Sequence, residues 1–372
     1  MAAHGKRLPA RYLTSAHPDL VLRAMETGEP YPIRALIVEA TNPLLTYADT
    51  HRVHSALSGL DLLVVIDYYM TPTAALADYV LPSAGAIERA TFQAHGGVAN
   101  FAYGGAAACE PYYERRTDYD IFRELGTRLG QEEHWPHETF EEACAYTLAP
   151  TGMDWETYCE LGMCFQPPRH FKHLAPGPDG KPRGFATSTG KVELASGLLE
   201  ALGGQRLPLP GENRLLCSPE FVAAKEAEGW THLELITGGR RQPYNASMYM
   251  NFPEFRESVP CPLAEMSAQT ACDLGVRDGD TLLIASDNGQ ACFKVATIDI
   301  RYGLIHADYG WWHPEWDVND GSLGGIWESN VNTLTSCSLD QSEGTIGTWS
   351  YNAIDCMAVK CDRKLSWDRQ GD

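Results

Sequence analysis

No stretch of this 372-residue chain approaches the roughly 20 consecutive apolar residues that a helix needs to cross a bilayer, so direct membrane insertion is not expected. The opening residues, MAAHGKRLPARYLTSAHPDL, lack the apolar core of a secretory signal. The expected location is therefore cytoplasmic, with export of a longer parent subunit left open. Basic residues are scarce, 29 against 49 acidic ones for a net charge of -20, and they occur in ones and twos. Such a surface repels nucleic acid and anionic membranes, and neither is an expected partner. Eleven cysteines are present, yet none forms C-x-x-C. The tightest pairs, Cys159/Cys164 and Cys356/Cys361, have four residues between them, too loose for a usual zinc site or cubane cluster. They read as free, mostly buried thiols in a reducing compartment. G-x-G-x-x-G is absent, which disfavours a nicotinamide dehydrogenase, and without G-x-S-x-G a serine hydrolase has no support.

The composition is that of a globular protein with 44% apolar residues, and the length calls for more than one domain. Residues 1–30 read as a polar lead-in. The apolar runs IRALIVE (33–39) and LDLLVVI (60–66), with a short strand near Tyr79–Leu81, are separated by stretches of helical character. That pattern predicts a Rossmann-like parallel sheet covered on both faces, in a domain over 31–150. A helix over Thr117–Leu129 carries Ile121, Phe122, Leu125 and Leu129 on one stripe. Residues 151–229 read as a Pro/Gly-rich connection holding a strand-turn-strand and short helix at 184–204. From 230 to 365, short strands and turns, among them the Asn288-Gly289 hairpin signal, predict a barrel.

Several strand ends carry polar residues suited to a ligand. In ATNPLL, Pro43 biases Asn42 toward an extended or turn conformation at the carboxyl end of a strand, where open α/β sheets bind ligands. Asp67 closes the second apolar run, and a carboxylate there can accept two hydrogen bonds from a guanine edge or a ribose. Thr71 and Thr73 follow, with Pro72 stiffening the turn between them. Taken singly, Asn42 and Asp67 also read as plain strand-to-loop transitions with an Asx cap.

The ordered set NP (42–43), DLLVVIDYYMTPTAALADYVLPSAGAIE (61–88), FATSTGKVEL (185–194), TGGRR (237–241), LGVRDGD (274–280), GWW (310–312) and NVNTLT (330–335) resembles the dimethyl sulfoxide reductase family. Its members are molybdenum or tungsten oxidoreductases that hold two pyranopterin guanine dinucleotides. The resemblance spans about residues 30–361 and falls on the C-terminal half of the family's catalytic subunit. It implies a Rossmann-like domain followed by a C-terminal double-psi β-barrel. It also implies a bis-molybdopterin guanine dinucleotide carrying molybdenum or tungsten, shared with an N-terminal half. That half, or a separate chain, would supply the metal ligand and any iron–sulfur cluster, and this chain would hold no cluster. An iron–sulfur electron-transfer subunit is a further implied partner. The 310–336 stretch is similar to the acetylene hydratase and catechol dehydroxylase branch.

By the same resemblance, Ile66 and Asp67 match the position that meets one guanine, with Asn42, Thr71 and Thr73 on the same edge. Arg89 matches a basic position near the phosphates, and Asp118 an acidic one reaching guanosine. Thr237, Gly238, Gly239, Arg240 and Arg241 match the loop that grips pterin and phosphate. The chemistry suits that role, because glycines permit close backbone approach and an arginine fork fits a diphosphate. Alone, an Arg-Arg pair reads equally as a solvated turn. Asn332 matches an asparagine that bonds a pterin ring, although it also reads as a turn residue. Two departures stand out. His95, Gly96 and Gly97 replace the usual run after Glu88, and Tyr351-Asn352 stands where a pterin-approaching lysine is common, which makes Asn352 its counterpart.

His51 and His54, two positions for a metal without a third, read as surface residues. Trp311-Trp312-His313 reads as packing beside the barrel, with His313 a candidate for the substrate funnel. EEHWPHETFEE (132–142) reads as a solvated helix entry. A chain like this holds cofactor while the metal does the chemistry. The rival reading is a non-catalytic binding or assembly subunit on the same fold.

Overall fold

The computed structural model describes residues 16–94, 101–165, 167, 169–207, 214–342, 348–362, 365 and 367. His95, Gly96 and Gly97 lie outside the described residues. The chain divides into two compact units, one built from Met1–Val65, Met70–Tyr79 and Ala195–Asp372, the other from Ile66–Tyr69 and Val80–Leu194.

The three apolar runs near the start form strands β1 (Ala35–Glu39), β2 (Leu62–Asp67) and β3 (Tyr79–Pro82), in the order β1-β2-β3. The Asp78 and Ser83 amides donate to the Leu63 and Asp67 carbonyls, rising together along both strands as parallel pairing requires. Cover on both faces holds in part: the consecutive Val65 and Ile66 of β2 point to opposite faces and both are buried, as are Val38 and Leu63, whereas Ile37, Leu62 and Tyr79 are exposed. The helix Thr50–Ser58 packs Val53, Ala56 and Leu57 inward and starts at Asp49, whose side chain accepts from the Arg52 amide. A helix over Pro18–Thr27 stands where a lead-in was expected. Its Asp19 pairs with Arg52.

The larger unit also holds the closed six-stranded barrel. Its strands are β7 (Thr231–Gly239), β8 (Leu263–Met266), β9 (Thr281–Ser286), β10 (Gly289–Thr297), β11 (Leu304–Asp308) and β12 (Ile354–Lys360), running β10-β8-β11-β7-β12-β9. β8 pairs in parallel with β10, as does β7 with β11, and the other junctions are antiparallel. Alternation along β7 sends Leu233, Leu235 and Thr237 inward. Leu235, Met266, Ile284, Phe293, Ile305 and Ile354 fill the interior. Burying each such side chain contributes about 1.5–3 kcal/mol. The hairpin signal holds, since Gly289 pairs with Ser286 across Asp287-Asn288.

In the smaller unit, β4 (Thr91–Ala94), β5 (Phe101–Gly105) and β6 (Met163–Phe165) form an antiparallel sheet in that order. Thr117 caps the helix Asp118–Arg128. The apolar stripe expected to face a core is exposed at its C-terminal end, where Leu129 is 64% accessible. The strand-turn-strand expected at 184–204 is also corrected: residues 184–194 form turns without a strand, and only the helix Gly197–Ala201 appears. Lacking paired strands, Val192 and Leu194 stay exposed. All eleven cysteines are free thiols, four of them buried. Among the described residues no helix is long and apolar enough to cross a membrane.

Candidate functional site

The larger unit gathers most of the expected contact residues around two chain turns. Asn42 is buried, and its side chain does not cap the helix Pro43–Thr46 that follows it. Its Oδ1 accepts from Thr73 Oγ1 at 2.6 Å, and the same hydroxyl oxygen accepts from the Leu44 amide at 3.3 Å. The amide nitrogen of Asn42 is then a buried donor with no partner among the described residues. Burying such a group unpaired costs about 1–3 kcal/mol, so it marks a place prepared for an acceptor. Thr71 has a different duty: its Oγ1 accepts from the Ala74 amide and stabilises the turn after Pro72.

Asn332, fully buried, spends its amide inside the protein. It donates to the Leu45 carbonyl at 2.7 Å, and its Oδ1 accepts from Thr335 Oγ1. Asn330 donates to the Leu44 carbonyl and to Thr50 Oγ1. The NVNTLT segment thus splints the turn that carries Asn42.

At the end of β7, Gly238 has φ +84°, a left-handed conformation that favours glycine. The Thr237 hydroxyl donates to the Tyr351 carbonyl at 2.8 Å. With its amide nitrogen facing them, Asn352 donates to the carbonyls of Thr237 and Tyr351, both at 3.2 Å. The two arginines beside the turn have separate fates. Arg241 Nε donates to both oxygens of the buried Asp308, at 2.8 and 2.7 Å, and a terminal nitrogen meets Glu265 at 2.8 Å. Arg240 is exposed and makes no ion pair among the described residues. Its charge works against burial, which raises the pKa of Tyr309. Tyr309 in turn donates to the Thr46 carbonyl at 3.0 Å, beside the Asn42 turn.

The smaller unit gathers Asp67, Arg89 and Asp118 around Ser83. The Ser83 amide donates to the Asp67 carbonyl at 3.3 Å, and its hydroxyl donates to Asp118 Oδ1 at 2.7 Å. Asp67 Oδ1 accepts from the amides of Tyr68 and Tyr69, leaving Oδ2 uncommitted. Burial raises its pKa against those two bonds. Ile66, just before it, is buried in the sheet. Arg89 meets Asp118 Oδ2 at 3.2 Å, and its Nε is buried without a partner. A cavity of about 380 Å³ opens beside Arg89 and Asp118, and Asp67 is not among its lining residues. Its walls include Glu88, Glu110, Asp118, Asp120 and Glu141 against one cation, Arg89. That surplus of carboxylates repels a diphosphate and suits a donor-rich edge such as guanine's. Glu88 is buried, and the Gly85 and Tyr112 amides with Arg115 hold its carboxyl below the ordinary range.

Other candidates stay outside these clusters. His51 stacks on Trp327 with centroids 5.0 Å apart, and His54 meets the same indole edge-on. Among the described residues no cluster could hold a metal ion. His313 is fully buried, stacked between Trp316 and Trp367, and Arg256 approaches its Nδ1 at 3.0 Å. Burial lowers its pKa. Ser83, Tyr309 and Asp308 escaped the sequence reading. Asp308, an acid ending the apolar run LIHAD, carried a usable signal; Ser83 and Tyr309 carried none.

A closed six-stranded barrel and a parallel sheet, with a glycine-arginine turn and polar strand ends, make a mixed α/β scaffold suited to a ligand. Comparison with known families agrees. Residues 4–128 match the molybdopterin oxidoreductase family and residues 233–350 the molydopterin dinucleotide binding domain. The chain belongs to the molybdopterin oxidoreductase family. Acetylene hydratase of Syntrophotalea acetylenica is 34% identical over 304 residues, covering 81% of this chain and 40% of that protein. Dimethyl sulfoxide/trimethylamine N-oxide reductase of Rhodobacter capsulatus is 26% identical over 343 residues, covering 82% of this chain and 39% of that protein. The solved structure of acetylene hydratase from Pelobacter acetylenicus superposes with a TM-score of 0.81 at 31% identity, covering 93% of this chain and 47% of that one. The chain therefore spans less than half the length of these relatives.

Proposed function

We propose that this chain is a molybdopterin guanine dinucleotide-holding portion of a molybdenum or tungsten oxidoreductase. Its barrel is of the double-psi type, and the segments 31–150 and 230–365 carry the cofactor contacts. When bound, the metal-pterin group supplies redox or oxygen-transfer chemistry. This chain's residues bind and orient it. Asn42 donates to it through its amide nitrogen, Arg240 meets its anionic part beside Gly238, and Asp67 with Asp118 receives a guanine edge. The buried Asn42 nitrogen, without a partner among the described residues, carries the reading, because most buried donors are hydrogen-bonded and this one lies at the strand end where open α/β sheets bind ligands. Polypeptide outside these 372 residues supplies the metal ligand and any iron–sulfur cluster, either as the N-terminal half of the catalytic subunit or as a separate chain. An iron–sulfur subunit exchanges its electrons. Eleven free thiols fit a reducing, cytoplasmic setting.

The test is co-expression with a polypeptide supplying the N-terminal half, followed by acid release of GMP and metal analysis of the purified complex. Stoichiometric GMP with molybdenum or tungsten is expected, and Asp118→Asn should lower the GMP content about tenfold, as loss of a hydrogen bond to a charged group does. A complex that forms but carries no GMP would leave the chain a non-catalytic assembly subunit.

A further inference from the structure

Beneath the glycine turn at the end of β7 lies a four-member network that the cofactor reading does not use. Arg241 bonds Asp308 and Glu265, and the second oxygen of Glu265 meets His306 Nδ1 at 2.8 Å. The Leu263 amide adds a further bond to Asp308 Oδ2 at 2.8 Å. The partners come from two strands of the barrel wall, β8 and β11, and from the turn after β7. His306 and Glu265 face each other across β11 and β8, and Asp308 lies opposite Gly239 on β7. The register slips between His306 and Asp308, a bulge of the kind that re-aims side chains at barrel rims.

We infer that His306 is a positioning residue: it holds Glu265, and through it the Arg241 fork, so that the Gly238-Gly239 turn offers Arg240 alone to an anionic ligand. Two contacts place it there. The Glu265 carboxylate can only accept, so His306 Nδ1–H donates to it, and that bond fixes the orientation of the ring. The ring's Nε2 lies 1.8 Å from where a Cβ on Gly239 would sit, so the ring fills the space against the turn. Glu265 has one oxygen on Arg241 and one on His306, and removing the imidazole frees one end of that strut. Arg241, with two carboxylates already upon it, is a fixed brace and has little charge left for a ligand.

This inference rests on the reading of the turn as an anion site, and the test separates the two. The full chain is studied as wild type, His306→Ala, His306→Asn and Arg240→Gln, with inorganic diphosphate as the probe. The asparagine amide can take the place of the imidazole Nδ1–H. Amide hydrogen exchange at 238–241 is measured beside diphosphate binding by calorimetry. In His306→Ala, exchange at 238–241 should quicken and diphosphate affinity fall about tenfold, as loss of one hydrogen bond to a charged group predicts. His306→Asn should restore both, and Arg240→Gln should abolish binding without changing exchange. Unchanged exchange in His306→Ala overturns the positioning role, whatever diphosphate does. Absent diphosphate binding to the wild type overturns the anion reading of the turn, and exchange still decides the role of His306. Should His306→Ala fail to fold, Glu265→Gln read by the same exchange measurement takes its place.

Discussion

The barrel rim and the cavity of the smaller unit handle charge in opposite ways. At the rim, Asp308 and Glu265 neutralise Arg241 and leave Arg240 as a spare cation. In the cavity, five carboxylates surround Arg89, which is itself held by Asp118. A spare cation favours an anion at the first, and a surplus of carboxylates favours hydrogen-bond donors at the second.

The sharpest way to break this contrast is at Asp308. Asp308→Ala leaves the partly buried Arg241 with a single carboxylate and should destabilise the chain by about 3 kcal/mol in urea denaturation, while Arg240→Gln should stay within about 0.5 kcal/mol. Equal effects would mean that the two arginines are not divided into brace and ligand contact. A second comparison is of packing. Leu235→Ala in the closed barrel should cost about 2–5 kcal/mol by the same method, and Leu125→Ala, 37% exposed on its helix, about 0.5 kcal/mol or less.

The smallest effect concerns pH. Burial raises Asp67 above its ordinary value, so the folded chain binds this proton more tightly than the unfolded chain does. Its contribution makes stability fall as pH rises from about 4 through the raised folded value, and Asp67→Asn should remove that slope. Glu88, held low by two amides and Arg115, contributes the reverse slope: its stabilisation is present above the unfolded value and lost as pH falls through the folded one. Denaturation midpoints between about pH 3 and 7 for Asp67→Asn and Glu88→Gln should therefore shift in opposite directions relative to wild type. A shared direction would show that Asp67 is solvated.

Much of the scaffold was legible because its signals are local. Apolar runs of strand length, Asp287-Asn288-Gly289 between two of them, and Thr117 before its helix act within a few residues. The stretch 184–204 was misread because Thr and Val favour strands only when a partner strand is present to pair with them, and none is. The exposed end of the 118–128 helix has the same lesson: an amphipathic stripe says which residues share a face and not whether anything covers it.

By itself, the sequence determined the apolar runs that become β1, β2 and β3, the hairpin turn of the barrel, and the order of short motifs that sets the family. It also marked Asn42, Asp67, Asp118 and the 237–241 turn as polar residues in places where a ligand can approach. Only the tertiary structure decided what each of them does. Arg240 and Arg241 are neighbours of one type, and what separates them is Asp308, 67 residues away from Arg241. Asn42 and Asn332 are likewise the same residue type, yet one keeps a bare donor and the other spends its amide on Leu45. A side chain's chemistry is local, but the availability of that chemistry depends on which partners the folded chain brings within about 3 Å.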